Sequence, residues 1–373
     1  MKIISDVGTG EKSISTRWNL AAAGFALALF SGCASVPDLD PVPVRPLSSP
    51  TIASPVQAKP VPPQSFPSRS PGWDAPDPEP RAYAHPAAPK PLDAEVMRMQ
   101  IMLDRANFSP GCVDGRFGNQ SALVLRAWQW REGLSASGEL DGTTRARLPT
   151  EAESFTSHTV VAEDLAGLAA VPRSWREKAL LPAMAHETVL ERLAETYHIS
   201  QRALKELNPS VGWPDPAVGT IIRVPKVTPR PKPLAARIEI HLAEKYMQVF
   251  DFSGKLVAHF PCSIARDKAK RPVGELHIVN AASDPNYTFR PELFAEDPEA
   301  ASIGQPLIIP PGPNNPVGVA WLSLDRPGYG IHGAPKPEDI GRTESHGCFR
   351  LANWNARKLL GMVTVGTPVL VVE

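Results

Sequence analysis

Near the end of the 373-residue chain, residues 345–351 read SHGCFRL, with His346 and Cys348 on either side of a glycine. In an extended backbone, residues i and i+2 project to the same side, so the imidazole and the thiol can approach each other. A protonated imidazole beside a thiol lowers the thiol pKa and favours the thiolate, the form that attacks carbonyl carbon. The spacing therefore predicts Cys348 as a nucleophile and His346 as its general base.

Neighbouring residues supply the other groups that such a site needs. Ser345 is placed to fix the orientation of the His346 ring, through its carbonyl or its hydroxyl. Gly347 leaves room for a substrate, and the main-chain amides of Gly347 and Cys348 can face a developing oxyanion. Arg350 falls on the thiol's side of the alternation, where its permanent charge suits a substrate carboxylate.

A second His-Gly pair, His332 and Gly333 in IHGA, begins fourteen residues before SHGCFRL. His332, His346 and Cys348 are also zinc-ligand types, but a structural zinc site needs four protein ligands. The sequence contains neither a CxxC pair nor an HExxH helix. A lone Cys-His pair is often only core packing, because free cysteine is among the most buried residue types. We expect no metal, and the surrounding motif favours catalysis over packing.

The segment that carries these residues is rich in strand patterns. ARIEIHL alternates apolar and polar residues, and KYMQVFDFSGKLVAHFPCSI predicts a hairpin that turns at Ser253 and Gly254. VGELHIV and TPVLVV predict further strands, and a helix is expected near residues 353–360. Residues 235–373 are therefore expected to form a β-rich domain, in which Cys262 is a core residue.

These residues resemble the catalytic domain of bacterial L,D-transpeptidases. The features that carry the resemblance are IHGA, the spacer, SHGCFRL, the following helix and the terminal VGTPVLVV, although Ala334 replaces the usual threonine. The resemblance implies a β-sandwich with a lid over the cleft, for which we expect residues 284–316. It also implies no dissociable cofactor. The residues that match the family motif are His332, Gly333, Ser345, His346, Gly347, Cys348 and Arg350.

In that family, the cysteine attacks the third residue of a peptidoglycan stem peptide, releases D-alanine and forms a thioester. An amine of a second stem then resolves the thioester into a 3-3 crosslink, and a protein lysine or water can replace that amine. His332, Gly333, Gly347 and Arg350 would bind the substrate. Two alternatives stay open: an L,D-carboxypeptidase or endopeptidase on the same substrate, or a catalytically idle scaffold that only binds the wall.

The N-terminus predicts export. Basic residues precede the apolar run LAAAGFALALF, which is too short to span a bilayer but suits a signal peptide. SGC then resembles a lipoprotein cleavage site, so residues 1–33 are predicted as a signal that ends at a lipidated Cys33. An ordinary secretory signal is the alternative. Residues 34–91 contain 17 of the 42 prolines and are predicted as a disordered tether to a membrane, most simply the outer membrane facing the periplasm.

Two further units are expected between the tether and the catalytic domain. Residues 92–149 resemble the three-helix peptidoglycan-binding module, through VDGRFG before the second helix and GELDGTTRARL at the third. Residues 184–228 resemble a LysM glycan-binding unit with βααβ order, through LKELNP and VGTIIRVP. Residues 150–183 are predicted as a connecting segment. Whether the LysM-like unit binds glycan or serves as a spacer is open.

Composition supports this organisation. The 39 basic and 39 acidic residues balance, and no basic block suggests a nucleic-acid partner. The expected partners are peptidoglycan stem peptides and glycan, and a membrane that the lipid anchor contacts. A lipoprotein or an outer-membrane protein is a further expected partner, as an acceptor of the acyl group. The sequence thus predicts an α+β multidomain protein with a three-helix bundle, a LysM-like unit and a β-rich sandwich.

Overall fold

The computed structural model describes residues 91–228, 232–294, 297–343 and 347–373. The predicted signal peptide, the lipidated Cys33 and the tether lie outside the described residues. Ser345 and His346 of the predicted catalytic centre lie outside them as well. Within the described part of the chain, no helix is both long enough and apolar enough to cross a membrane.

The first described unit is helical, with α1 Ala94–Arg105, α2 Asn119–Arg131 and α3 Gly142–Arg145. The predicted apolar stripe runs along α1 to its C-cap residue, and all of it is buried. Its members are Val96, Met99, Leu103 and Ala106. The third helix is a single turn. It is attached to α2 by the buried side chain of Gln129, which donates to Thr144 Oγ1 at 2.8 Å and accepts from the Gly138 amide. The predicted helical unit is confirmed.

The second unit contains one two-stranded sheet and several helices, namely α4 Glu151–Ser154, β1 Phe155–Thr159, α5 Ala162–Leu165, α6 Trp175–Ala179, α7 Val189–Thr196, α8 Gln201–Leu207 and β2 Ile221–Pro225. Strands β1 and β2 are antiparallel, with Phe155 opposite Pro225. The Asn208 side chain ties the end of α8 to β2, because it accepts from the Arg223 amide and donates to the Arg223 carbonyl.

The opening strand of this sheet lies in the segment predicted as a connector. Strand β1 falls within residues 150–183, so the two-stranded sheet begins well before residue 184. Most of β1 is exposed, and a long stretch of chain separates it from β2, so neither periodicity nor a turn residue marks the pairing. Residues 160–188 are consequently an insertion between β1 and α7 that carries α5 and α6.

The described residues of 235–373 contain the remaining elements. These are β3 Arg237–His241, β4 Tyr246–Phe250, β5 Leu256–Pro261, β6 Gly274–Ser283, β7 Tyr287–Phe289, β8 Leu307–Ile309, β9 Ala320–Leu324, β10 Gly330–His332, β11 Phe349–Arg350, α9 Asn353–Leu360 and β12 Pro368–Val372. Single 3-10 turns lie at Lys268–Lys270, Pro291–Leu293, Ala300–Ser302 and Pro337–Asp339. The predicted hairpin and the predicted helix at residues 353–360 are confirmed.

Eight of these strands form one curled sheet in the order β11-β10-β9-β6-β12-β3-β4-β5, and β7 and β8 pair separately. The two edges of the sheet meet, because the main chains of Ser263 and Arg350 exchange two hydrogen bonds of 2.9 Å. The interior holds apolar residues from both edges and from α9, including Ile238, Phe260, Cys262, Leu322, Ile331, Phe349 and Leu359. The predicted α+β class is confirmed, and Cys262 is a core residue as expected.

A buried charge cluster joins the three units. The Asp104 carboxylate of α1 accepts hydrogen bonds from Lys358 Nζ of α9 and from His198 Nδ1, each at 2.9 Å. Burial raises the pKa of Asp104, but the Lys358 ammonium and the His198 ring lower it by a larger amount. The pKa of Asp104 therefore lies well below its ordinary value of 3.8. The His198 ring also stacks on Trp354 of α9, with centroids 5.0 Å apart.

We expect Asp104→Ala to lower the free energy of unfolding by about 3–5 kcal/mol, because it leaves Lys358 as a buried charge without its carboxylate. The contribution of Asp104 is present above pH 3.8 and is lost as the pH falls toward its lowered pKa. Denaturation by urea measures the loss. Glu95→Ala, which removes an exposed ion pair with Arg145, is the matched control and should cost about 0–1 kcal/mol. Equal losses in the two variants would contradict the assignment.

Candidate active site

The pairing of β10 with β11 determines which side chains share a face. The two strands are parallel, with Ile331 opposite Phe349 and His332 opposite Arg350. Ile331 and Phe349 are buried in the core of the sheet. Because alternate residues point to opposite faces, His332 and Arg350 lie on the other face. Cys348 directly precedes β11 and is two residues from Arg350, which places the thiol on that same face.

The Cys348 thiol is half-buried against the start of β10. Its Sγ lies 3.6 Å from the Gly328 carbonyl oxygen, to which the thiol donates. Burial raises the pKa of the thiol, whereas a hydrogen bond from the Gly330 amide and the charge of Arg350 oppose that rise without reversing it. Among the described residues, the net effect therefore favours the protonated thiol, and attack on a carbonyl requires a base to take the proton.

His332 is buried and held in one tautomer. Its Nδ1 lies 2.6 Å from the carbonyl oxygen of Gly333, which can only accept, so Nδ1 carries the proton and Nε2 has a free lone pair. The ring also stacks on Trp321 of β9, with centroids 5.4 Å apart. Burial lowers the pKa of His332 to about 4, with a contribution from the charge of Arg350. The imidazole is thus neutral at physiological pH and able to accept a proton.

Two glycines of the motif have different surroundings. A Cβ on Gly333 would lie 2.4 Å from Asn353 Oδ1, so glycine is required there for the close approach of α9. A Cβ on Gly347 would meet no described atom within 4 Å, so packing does not demand glycine at that position. Open space beside Gly347 suits the predicted access of a substrate to Cys348.

Arg350 is fixed through its main chain and its side chain. Its backbone is bonded to Ser263 on one side and lies opposite His332 on the other. Its guanidinium donates to Thr343 Oγ1 at 3.0 Å. The guanidinium stays charged at physiological pH and lowers the pKa of both Cys348 and His332. Arg350 therefore favours the thiolate and the neutral imidazole together.

Comparison with known families identifies the domain that carries this face. Residues 235–371 match the family described as the L,D-transpeptidase catalytic domain, YkuD. The chain carries an L,D-transpeptidase catalytic domain. Residues 93–148 match the family described as a peptidoglycan binding domain. The resemblances to the catalytic domain and to the peptidoglycan-binding module are thereby confirmed, and together the two domains imply peptidoglycan as the substrate.

Two named relatives agree with the family. A Bacillus licheniformis protein named as L,D-transpeptidase YkuD is 27% identical over 180 residues, which cover 48% of this chain and 91% of that protein. An Escherichia coli K12 protein named as L,D-transpeptidase YbiS is 30% identical over 185 residues, which cover 49% of this chain and 60% of that protein. A crystal structure of an Enterococcus faecium L,D-transpeptidase mutant is similar at 23% sequence identity, with a TM-score of 0.29. The similarity covers 43% of this chain and 56% of that protein. The match spans less than two thirds of the last two proteins.

The transpeptidase domain also brings to the site residues that the sequence did not single out. Trp321 stacks on His332 and covers Gly330, where a Cβ would lie 2.6 Å from the indole. Tyr287 of β7 lies close enough to Cys348 for the thiolate charge to act on it. Burial, with that charge, raises the pKa of Tyr287 to about 12, so its hydroxyl stays protonated. Strand alternation marks Trp321 on the same face as His332, but no sequence pattern marks Tyr287.

The segment expected to form the lid has defined structure. We call residues 284–294 and 297–316 the flap. It leaves the sheet after β6, where Ser283 lies opposite Ala320, and it contains the β7–β8 ribbon with Tyr287 opposite Ile309. The flap as a lid over the cleft stays a prediction, and the action of the Cys348 charge on Tyr287 supports it.

Replacing Arg350 tests the electrostatics of the thiol. Because its charge lowers the pKa of Cys348, we expect Arg350→Ala to raise that pKa further and to slow alkylation of Cys348 by iodoacetamide at neutral pH by about three- to tenfold. Peptide mass spectrometry follows the rate at Cys348, and the rates should converge at a pH above both pKa values.

The control for this experiment is Lys255→Ala, which removes one positive charge from the exposed turn between β4 and β5. It should leave the alkylation rate of Cys348 unchanged. An Arg350→Ala profile that overlays the wild-type profile at every pH would show that the guanidinium does not act on the thiol.

Proposed function

We propose that the protein is a cysteine-dependent L,D-transpeptidase that acts on peptidoglycan stem peptides through a thioester on Cys348. One observation supports the proposal most directly: the thiol, His332 and Arg350 share one face of a domain that matches the transpeptidase family. A nucleophile, a neutral imidazole and a cation on one face are the groups that acyl transfer from a peptide with a free carboxylate requires.

Cys348 begins as a thiol. As its sulfur attacks the carbonyl carbon of the third stem residue, the proton passes to an imidazole, and the main-chain amides of Gly347 and Cys348 are proposed to hold the oxyanion. The tetrahedral intermediate collapses, the imidazolium returns the proton to the departing amine, and D-alanine leaves. An acceptor amine then attacks the thioester and gives its proton to the same imidazole. The C–S bond breaks, and the imidazolium returns that proton to the departing sulfur, which restores the thiol.

Two histidines compete for the role of base. The sequence predicted His346, with Ser345 as its orienter, and both lie outside the described residues. His332 has the properties of a base among the described residues, because Gly333 fixes its tautomer and burial keeps it neutral. The proposal therefore places the proton on Nε2 of His332 and keeps His346 as the alternative. Arg350 is proposed to bind the substrate carboxylate.

The rest of the chain is proposed to hold the enzyme at its substrate. The peptidoglycan-binding domain would contact the wall, and the LysM-like unit would add a glycan contact or serve as a spacer. A lipid on Cys33 and the tether of residues 34–91 would anchor the protein, most simply to the outer membrane on its periplasmic side. The acceptor is proposed to be a stem amine or a protein lysine.

Replacing the nucleophile tests the activity itself. Purified protein incubated with tetrapeptide muropeptides should give crosslinked dimers and free D-alanine by mass spectrometry, and Cys348→Ala should give neither. Cys112→Ala is the matched control, since Cys112 is a partly buried thiol of the peptidoglycan-binding domain and burial raises its pKa above the ordinary value. Tripeptide without dimer would favour a carboxypeptidase, no wild-type product would favour an idle scaffold, and turnover by Cys348→Ala would refute the nucleophile.

The assignment of the base is tested by a pair of variants. We expect His332→Gln to lower kcat/KM by about 100- to 10,000-fold, which is the usual rate contribution of a general base. We expect His346→Gln to lower kcat/KM by a smaller factor. In the wild type, kcat/KM should fall as the pH drops toward 4, because protonated His332 cannot accept the thiol proton. If His346→Gln is the more damaging change and His332→Gln keeps most activity, the base is His346, as the sequence predicted.

A further inference from the structure

The flap packs on a segment outside the transpeptidase domain. We call this segment, residues 171–187, the brace; it belongs to the insertion between β1 and α7 and includes α6. The Trp175 indole of the brace stacks on Phe289 of β7, with ring centroids 4.1 Å apart and planes inclined by 15°. The same indole lies 6.2 Å from the ring of Tyr287 and 6.0 Å from that of Phe294. One brace side chain thus contacts three aromatic residues of the flap.

Polar contacts fix the same junction. The Glu299 carboxylate of the flap accepts from Ser174 Oγ at 2.6 Å and from the main-chain amide of Trp175 at 2.8 Å. Asp297 accepts from Trp175 Nε1 at 2.7 Å. These hydrogen bonds lower the pKa of both carboxyls, so each is ionised at physiological pH and makes a charge-assisted bond.

A second junction lies at the other end of the flap. The Met184 amide of the brace donates to the Pro311 carbonyl, and the Asn314 amide donates to the Met184 carbonyl, both at 2.9 Å. A Cβ on Gly312 would lie 2.3 Å from the Met184 carbonyl oxygen, so glycine permits this approach. The Asn314 side chain also donates to the Ala185 carbonyl.

The flap and the brace share one hydrophobic cluster. Its buried members are Met184 of the brace and Phe289, Ala300, Ile303 and Ile309 of the flap, with partly buried Val171, Trp175 and Leu181 of the brace packed against them. The β7–β8 ribbon has three residues in each strand, and a ribbon of this size is not stable by itself in water. The brace therefore supplies the apolar surface on which the flap is ordered.

The ordered flap carries Tyr287, whose hydroxyl the charge of the Cys348 thiolate reaches. Tyr287 and Phe289 are two residues apart on β7, so their side chains lie on the same face of the strand, and Phe289 is fully buried in the cluster shared with Trp175. A change in the position of Phe289 would displace Tyr287, since a strand moves as a unit. The contact between Trp175 and Phe289 can thus affect the position of Tyr287 relative to Cys348. This effect is indirect and does not require Trp175 to touch the reacting atoms.

We propose that the brace positions the flap for catalysis and that Trp175 is the positioning residue, so that the wall of the stem-peptide site depends on the insertion between β1 and α7. The proposal rests on the proposed transpeptidase function. Trp175 stabilises one placement of β7, and that placement forms the donor site in front of Cys348. The transpeptidase domain would then be complete only when the insertion of the preceding unit packs on it.

Three variants of the full chain test this role. Trp175→Ala removes both the stacking and the bond to Asp297, and we expect it to lower kcat/KM for the tetrapeptide at least tenfold. Trp175→Phe keeps an aromatic ring on Phe289 and should retain most of the activity. Leu180→Ala changes a brace residue that is 84% exposed and should behave as the wild type.

A readout that does not need turnover separates this proposal from the proposed function. Chymotrypsin cleavage after Tyr287 or Phe294, mapped by mass spectrometry, should be at least tenfold faster in Trp175→Ala, and alkylation of Cys348 by iodoacetamide should be faster as well. Faster cleavage with slower acyl transfer, both restored by Trp175→Phe, would support the brace. Wild-type cleavage and turnover in Trp175→Ala would overturn it. An inactive wild type would refute the function, while cleavage alone would still decide whether the brace orders the flap.

Discussion

The parallel pairing of β10 with β11 is the constraint on which the site depends. Strand β11 has only two residues, yet it is bonded to β10 on one side and to Ser263 on the other. Its register places Phe349 in the core and Arg350 outside. A slip by one residue would bury the guanidinium and expose the phenylalanine, and the hydrophobic core therefore specifies the register. Closure of the curled sheet thus also orients Cys348, the proposed nucleophile.

Burial and charge act against each other at this face. Low polarity raises the pKa of Cys348 and lowers that of His332, so both groups favour their neutral forms. A thiolate–imidazolium pair of Cys348 and His332 is consequently disfavoured, so the proposed mechanism couples the proton transfer to the attack of the sulfur on the substrate. The charge of Arg350 favours the thiolate of Cys348 and disfavours the imidazolium of His332. It therefore makes the thiol more acidic and keeps His332 neutral, so that the imidazole can accept the thiol proton. The same guanidinium suits the carboxylate of a stem peptide.

Local patterns made most elements predictable. The stripe of α1, the hairpin at Gly254 and the helix at residues 353–360 follow from periodicity and turn residues, and the motif marked Cys348, His332 and Arg350 as site residues. Contacts between distant segments were not predictable. Strand β1 has too little apolar character to reveal its partner, and Tyr287 lies in a proline-rich segment without a strand pattern. The buried partner of Lys358 is Asp104 in another unit, and no spacing rule connects them.

The flap shows why the units of this chain are not independent. Phe289 and Ile309 are fully buried in a cluster that includes Met184 and Trp175, and these two residues precede the transpeptidase match at residues 235–371. Each fully buried side chain of this size contributes about 1.5–3 kcal/mol relative to its exposed state. Residues 235–373 alone would lose that contribution at the flap and would also leave Lys358 without Asp104. The two units that precede the transpeptidase domain therefore take part in its packing, because Met184 and Trp175 complete the hydrophobic cluster of the flap and Asp104 pairs with the buried Lys358.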